Sequence, residues 1–409
     1  MERYTKRQVR LLVTLFLAYT AAYISRTNLS PALDAIQSDF GLTAAQVGLL
    51  PTFFAIPYAI GQIVNGTLAD HFRPRNFIAI GLIGSALVNM LFSLAPTYPL
   101  LMILWGLNGC LQSMIWTPIV RIMGTEYQDS IRPRAMFAVS MTLIVGYLVA
   151  WAISGFLTSA ISWRWAFRTS GMITGVIGVV SFILLGDTQN ASAAEAKPVA
   201  EEPEHRVSAL KLVFGTDLFL LLLGCIFNGY VRDSIMNWAP KMLVDTQGID
   251  LSSALGVVLI IPIINFLGIQ FGKVMFAKLS QRVRKTSAVL LGMCAVFSFV
   301  LTIGYQLNPL LCTVLLGLCS AMSYGINPLL TSFLPMDYKS LGRLGMAAGL
   351  IDALIYVGSA FSGTFAGMIY DHYGWSAVFA SWTIFSVIGV ITFYYALRKR
   401  WSVGEKPKE

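Results

Sequence analysis

Apolar runs of about twenty residues recur twelve times along this chain, separated by short charged or Gly/Pro-containing breaks. A run of that length, at 1.5 Å per residue, matches the roughly 30 Å hydrocarbon thickness of a bilayer. The pattern therefore predicts spanning helices near 8–30, 44–69, 76–95, 99–123, 135–160, 164–186, 216–242, 252–277, 286–306, 309–334, 344–370 and 375–398. Composition agrees: 12% of the 409 residues are charged, about half the share carried by a soluble domain. With twelve spans, no length remains for a sizeable aqueous domain.

Lys6, Arg7 and Arg10 precede the first run, which has no small-residue cleavage site after it. It reads as a retained helix and not as a signal peptide. With the N-terminus inside, all of the 29 Lys/Arg except Arg164, Arg168, Lys241, Arg26 and Arg232 fall in cytoplasmic segments or at their edges. Both termini are accordingly expected in the cytoplasm. The formal charge of +9 reflects this topology and contact with anionic headgroups, not nucleic-acid binding. The five cysteines lie in apolar runs without a CxxC pair, and His71, His205 and His372 stand near helix ends or in loops. Neither a disulfide framework nor a metal site is implied. No nucleophile–base set suggests an enzyme, and no cofactor is expected.

The one long break, 187–215, contains NASAAEAKPVAEEPEHR and reads as a flexible cytoplasmic linker. It divides the chain into six-helix halves, 1–186 and 216–409. The halves echo each other. VIGVVSF at 176–182 returns as VIGVITF at 387–393, while Trp163 pairs with Trp375 and Gly155 with Gly367 at an offset of 212. The fold class expected is an all-α membrane protein of twelve transmembrane helices in two pseudo-symmetric six-helix bundles. Repeats of this kind build carriers whose halves rock about a midplane site.

Two charges interrupt this scheme. Arg26 lies about 18 residues into the first helix and Arg232 about 16 into the seventh, its equivalent. An arginine at such depth costs several kcal/mol or more in hydrocarbon, so it faces a partner or a polar cavity. The pair, one from each half, is expected to converge on a central cavity and to present planar donor forks to phosphate or carboxylate. Tyr19 and Tyr23, seven and three residues before Arg26, share its helical face. Tyr58, Gln62, Asn108, Gln112, Trp116, Trp238, Tyr324 and Asn327 are further candidates for lining it. Asp352, in the eleventh helix, could pair with an arginine, take up a coupling proton or sit at a wet helix end. Asp233 follows Arg232 at about 100° around the helix, which points it at a different surface.

The loop after the second helix reads GTLADHFRPR, with Gly66, Asp70, Arg73 and Arg75. A small residue there permits close helix approach, and the acid and bases can latch a cytoplasmic gate. The matching second-half loop, AKLSQRVRK, has Gln281 where the repeat would place the acid.

These residues resemble the G-x-x-x-D-R-x-x-R-type motif of the major facilitator superfamily, and the resemblance extends over the twelve-helix pattern. Within it, Tyr19, Tyr23 and Arg26-x-Asn28, LNGCLQSMIWTP at 107–118, and Arg232 followed by Trp238-Ala239-Pro240 look like the organophosphate:phosphate antiporters. That family binds phosphate with arginines of helices 1 and 7, which the resemblance places at Arg26 and Arg232. A helix 2 lysine of those carriers falls on Gln62, and a helix 5 histidine on about Leu143. YAIGQIVNG at 58–66 is similar to the anion:cation symporters, carriers of sugar acids. The resemblance implies secondary transport of a small organic anion, with inorganic phosphate or a proton as counter- or co-substrate. It further implies a monomer in a plasma membrane of bacterial type. Two alternatives stay open: a transporter-like membrane sensor of an organic anion, and a proton-coupled multidrug exporter.

Overall fold

The computed structural model describes residues 4–68, 72–128, 130–186, 208–249, 251–306, 308–341 and 344–398. Among them the regular structure is helical throughout. Eleven helices are long and apolar enough to cross a membrane. The longest, Leu344–Arg398, is two helices meeting at Gly374, so the spans number twelve, as expected. They are α1 (Lys6–Phe40), α2 (Ala44–Leu68), α3 (Pro74–Leu94), α4 (Tyr98–Glu126), α5 (Thr142–Ala160), α6 (Trp163–Leu184), α7 (Leu218–Gln247), α8 (Gly256–Lys278), α9 (Val283–Gly304) and α10 (Pro309–Phe333). The two limbs of Leu344–Arg398 are α11 and α12. Gly374 sits at φ 75°, ψ −173°, a conformation closed to residues with a Cβ, and this is where α11 ends.

Several spans are broken internally, and each break has a proline behind it. The ladder of α1 divides into Lys6–Thr27 and Leu29–Phe40; Pro31 has no N–H to offer the Thr27 carbonyl four residues back. The same relation links Pro118 to the interruption of α4 between Gln112 and Trp116. It links Pro262 to the junction of Leu251–Val258 with Ile260–Lys278 in α8. The apolar pattern places the end of the first span at 30. The helix instead runs on to Phe40. Of the 187–215 linker, residues 187–207 lie outside the described residues; Ala209–Gly215 is a short helix capped by the Ser208 hydroxyl.

Packing separates two units: Met1–Leu42 with Leu49–Lys197 and Leu251–Leu259, and Thr43–Gly48 with Pro198–Asp250 and Ile260–Glu409. In the first unit α1 packs on α5 and α6, and α3 on α6 and α4. In the second, α7 packs on α11, and α9 on α12 and α10. The pattern is the same one shifted by six helices.

The repeat reaches single hydrogen bonds. The Trp163 indole donates to Asp39 at 3.1 Å, and the Trp375 indole to Asp245, also at 3.1 Å. Each carboxylate also meets a cation, Arg164 at 2.5 Å on Asp39 and Lys241 at 3.4 Å on Asp245. Each indole stands against a fully buried phenylalanine four residues on, Phe167 or Phe379. This device ties the first helix of each unit to its sixth.

Losing a hydrogen bond to a charged group costs about 1.5–3 kcal/mol. Trp163→Phe and Trp375→Phe are therefore expected to lower the melting temperature of the detergent-solubilised protein by similar amounts. The two losses should add in the double variant, because the sites share no partner. A silent single variant would end the equivalence of the two devices.

Candidate functional site

In the first unit the site is built around Arg26, whose guanidinium carbon lies 4.9 Å from the Tyr58 ring, 5.4 Å from Phe54 and 5.6 Å from Tyr23. Aromatic faces hold a cation with about 0.5–2 kcal/mol each when water is excluded, which offsets part of the arginine's desolvation. Tyr23 can occupy this place because Gly146 on α5 faces it: a Cβ there would stand 2.3 Å from the Tyr23 Cβ. Tyr19 sits edge-on to Tyr23 at 5.2 Å and stacks on Trp116 at 4.9 Å. Gln62 donates to the Tyr58 hydroxyl at 2.7 Å. The sequence candidates Tyr19, Tyr23, Tyr58, Gln62 and Trp116 are thus gathered with Arg26 into one contiguous aromatic and amide wall.

Asn108 and Gln112 are placed elsewhere. Both are buried in a network that ties α1, α3 and α4 together. The Ser85 hydroxyl donates to Asn108 Oδ1 at 2.5 Å, the Asn108 amide donates to the Ser25 carbonyl at 2.9 Å, and Gln112 donates to both Ser25 and Ser85 hydroxyls at 3.1 Å. Asn89 completes it by donating to the Ser25 and Ser85 carbonyls and accepting from Asn28. In hydrocarbon such groups must find partners within the protein; here they join helices and do not line a surface.

In the second unit Arg232 is 8% exposed, and its fork is engaged. Nε and one terminal nitrogen donate to the two carboxylate oxygens of Asp233 at 2.7 and 2.9 Å. The other terminal nitrogen donates to Asn327 Oδ1 at 2.9 Å, and the Ser359 hydroxyl accepts at 3.4 Å while donating to Asp233. The Tyr324 ring lies 5.7 Å from the guanidinium carbon. Asp233 therefore does not turn to another surface, as the helical angle suggested. The angle fixes where the Cβ points, and the long arginine folds back over that difference. Of the further candidates, Tyr324 and Asn327 are found beside Arg232. Trp238 does not: its indole donates to the Ser362 carbonyl at 3.3 Å, and its ring is buried against Trp375. Asp352 lies in α11.

Two features escaped the sequence reading. Asn228 is fully buried with neither amide atom hydrogen-bonded, and its i,i+4 spacing to Arg232 was the available signal. Arg284 is held by Asp217 and Asp337, with the Tyr338 hydroxyl donating to Asp217 at 2.9 Å. The acid missing at Gln281 thus comes from 67 and 53 residues away along the chain, where no local pattern could reveal it. Of the expected first-half gate, Asp70 lies outside the described residues and Gly66 falls within α2. Arg73 caps α3 in an extended, exposed conformation, and Arg75 lies over the Phe182 ring at 5.1 Å. Among the described residues no cluster of three His, Cys, Asp or Glu could hold a metal.

The family model of the Major Facilitator Superfamily matches residues 15–342. A probable hexose phosphate transport protein of Chlamydia trachomatis is 24% identical, with 96% of this chain and 91% of that one aligned. The glycerol-3-phosphate transporter of Bacillus subtilis is 25% identical, over 98% and 94%. Among solved structures, a bacterial homologue of the human lysosomal transporter Spinster, inward-facing and occupied, superposes with a TM-score of 0.79 at 17% identity, covering 97% of this chain and 98% of that one.

If Asn108 is a joint between helices, Asn108→Ala leaves buried partners unsatisfied and costs about 1–3 kcal/mol. The expected result is a clearly lower melting temperature with any stabilisation by added anion retained. An unchanged melting temperature would remove Asn108 from the structural network.

Proposed function

The chain belongs to the Major Facilitator Superfamily and is a transporter by class, not an enzyme; from this we propose that it carries a small organic anion, a phosphate ester or sugar acid. Arg26 and Arg232 engage the anionic group, and alternating access of the two units moves it across the membrane. The observation that carries the reading is that each unit keeps one arginine deep in a span, within a wall of hydroxyl and amide groups: Tyr23, Tyr58 and Gln62 about Arg26, and Tyr324, Asn327 and Ser359 about Arg232. An arginine at such depth is costly unless function requires it, and its fork matches carboxylate and phosphate geometry. The names of the relatives, carriers of hexose phosphate and glycerol 3-phosphate, support the same substrate class. The hydroxyl and amide groups would contact the uncharged part of the substrate. Basic residues gathered on one side favour both termini in the cytoplasm of a bacterial-type plasma membrane.

The test is uptake into proteoliposomes of glucose 6-phosphate, glycerol 3-phosphate, inorganic phosphate and glucuronate. Wild type is expected to show saturable uptake of at least one. Arg26→Ala and Arg232→Ala should each weaken it by about 30-fold or more, the effect of removing one partner from a buried charged contact. Uptake of lipophilic cations with both variants unimpaired would refute an anion site. Binding of an anion without any flux would favour a sensor.

A further inference from the structure

We infer that Asp233 is the proton-coupling group of this carrier, and that substrate anion and Asp233 compete for the same guanidinium. The inference rests on the proposed role of Arg232 in anion binding. Four of the five N–H groups of that guanidinium are already engaged: two by the Asp233 carboxylate, one by Asn327 and one by Ser359. The edge formed by Nε and a terminal nitrogen, the edge that grips an anion bidentately, is filled by the neighbouring carboxylate. An incoming phosphate or carboxylate finds a neutral pair there and not a free cation.

Protonation changes this. A proton from solution binds one Asp233 oxygen, the ion pair loses its Coulombic half, and Nε–H and the terminal N–H become available to the substrate. Ser359, which donates to Asp233 while accepting from Arg232, is placed to reverse its hydroxyl and accept from the new carboxylic acid. On release the steps run backward: the proton leaves, the Asp233 carboxylate recaptures the fork, and the anion is displaced. One anion and one proton travel together. The empty carrier then carries a neutral pair at Arg232, so its return does not require a second anion.

The two tyrosines near the pair do not offer the same chemistry. Tyr324 of α10 faces the guanidinium with its ring, and Tyr356 of α11 lies within electrostatic reach of Arg232. Neither is an acid that ionises near neutral pH in its ordinary state. From α12, Ser381 and Trp382 meet Tyr230 and Ser234 of α7 and carry no charge. Asp352 of α11 is a second carboxylate of the same unit; Asp233→Asn leaves it in place, so a pH slope that it caused would survive in that variant.

The experiment is calorimetric titration of purified wild type and Asp233→Asn with glucuronate and glucose 6-sulfate, anions that do not titrate between pH 5 and 8, and with glucose 6-phosphate. Wild-type affinity should strengthen about tenfold per pH unit lowered while one proton is linked to binding. Titrations in two buffers of different ionisation enthalpy should show about one proton taken up per anion. Asp233→Asn, which keeps the side-chain shape, should bind with little pH dependence and without proton uptake. Anion binding by wild type without proton uptake overturns the coupling role and leaves the anion site standing. So does a pH slope for glucuronate or glucose 6-sulfate that survives in Asp233→Asn. Absence of binding by all three anions, in both proteins and at every pH, overturns the anion-site reading itself. Should Asp233→Asn not yield folded protein, the wild-type proton count alone decides.

Discussion

In hydrocarbon, every polar group must be satisfied by the protein itself, and the rest of this structure follows from how that demand is met. Backbone groups are satisfied by helices, which is why no strand occurs among the described residues. Where Pro31, Pro118 or Pro262 removes a donor, the ladder breaks and resumes within the same span. Many buried side chains meet the same demand, the Asn228 amide being an exception. Ser25, Ser85, Asn89, Asn108 and Gln112 form a closed network linking three helices. Arg284 is enclosed by Asp217, Asp337 and Tyr338. Buried polar groups arranged this way fix one packing of helices that apolar contacts alone would leave interchangeable.

The spans, their number and the twofold repeat were legible in the sequence because they depend on local composition and on period. The offset of 212 between Trp163 and Trp375 marks a pair of indole–carboxylate bonds in the structure. Sequence alone did not supply the carboxylates, since Asp39 and Asp245 are offset by 206 and look like loop residues. Span ends were less legible for the same reason: Pro31, Asp34 and Asp39 signal a loop, but the helix continues through them.

The candidate site was legible in part. Arg26 and Arg232 stood out by cost, and Tyr23 by helical spacing. Asn108 and Gln112 could not be told apart from lining residues, because their partners come from two other helices. Asp233 was misassigned for a different reason. Angular position on a helix constrains the Cβ, whereas the guanidinium lies several bonds beyond it and reaches back to its own neighbour. Helical-wheel reasoning is therefore weakest for the long side chains that matter most in a binding site.

The two arginines also differ in kind. Arg26 rests on the faces of Tyr58, Phe54 and Tyr23, whose ring quadrupoles stabilise the cation. Arg232 is met by a formal negative charge, the carboxylate of its neighbour Asp233. A ring quadrupole is fixed, whereas a carboxylate can be neutralised by one proton, so protonation of Asp233 would change the net charge of the Arg232 setting. The repeat thus sets one arginine in the first helix of each unit, and Asp233 gives the Arg232 setting a charge that one proton can switch.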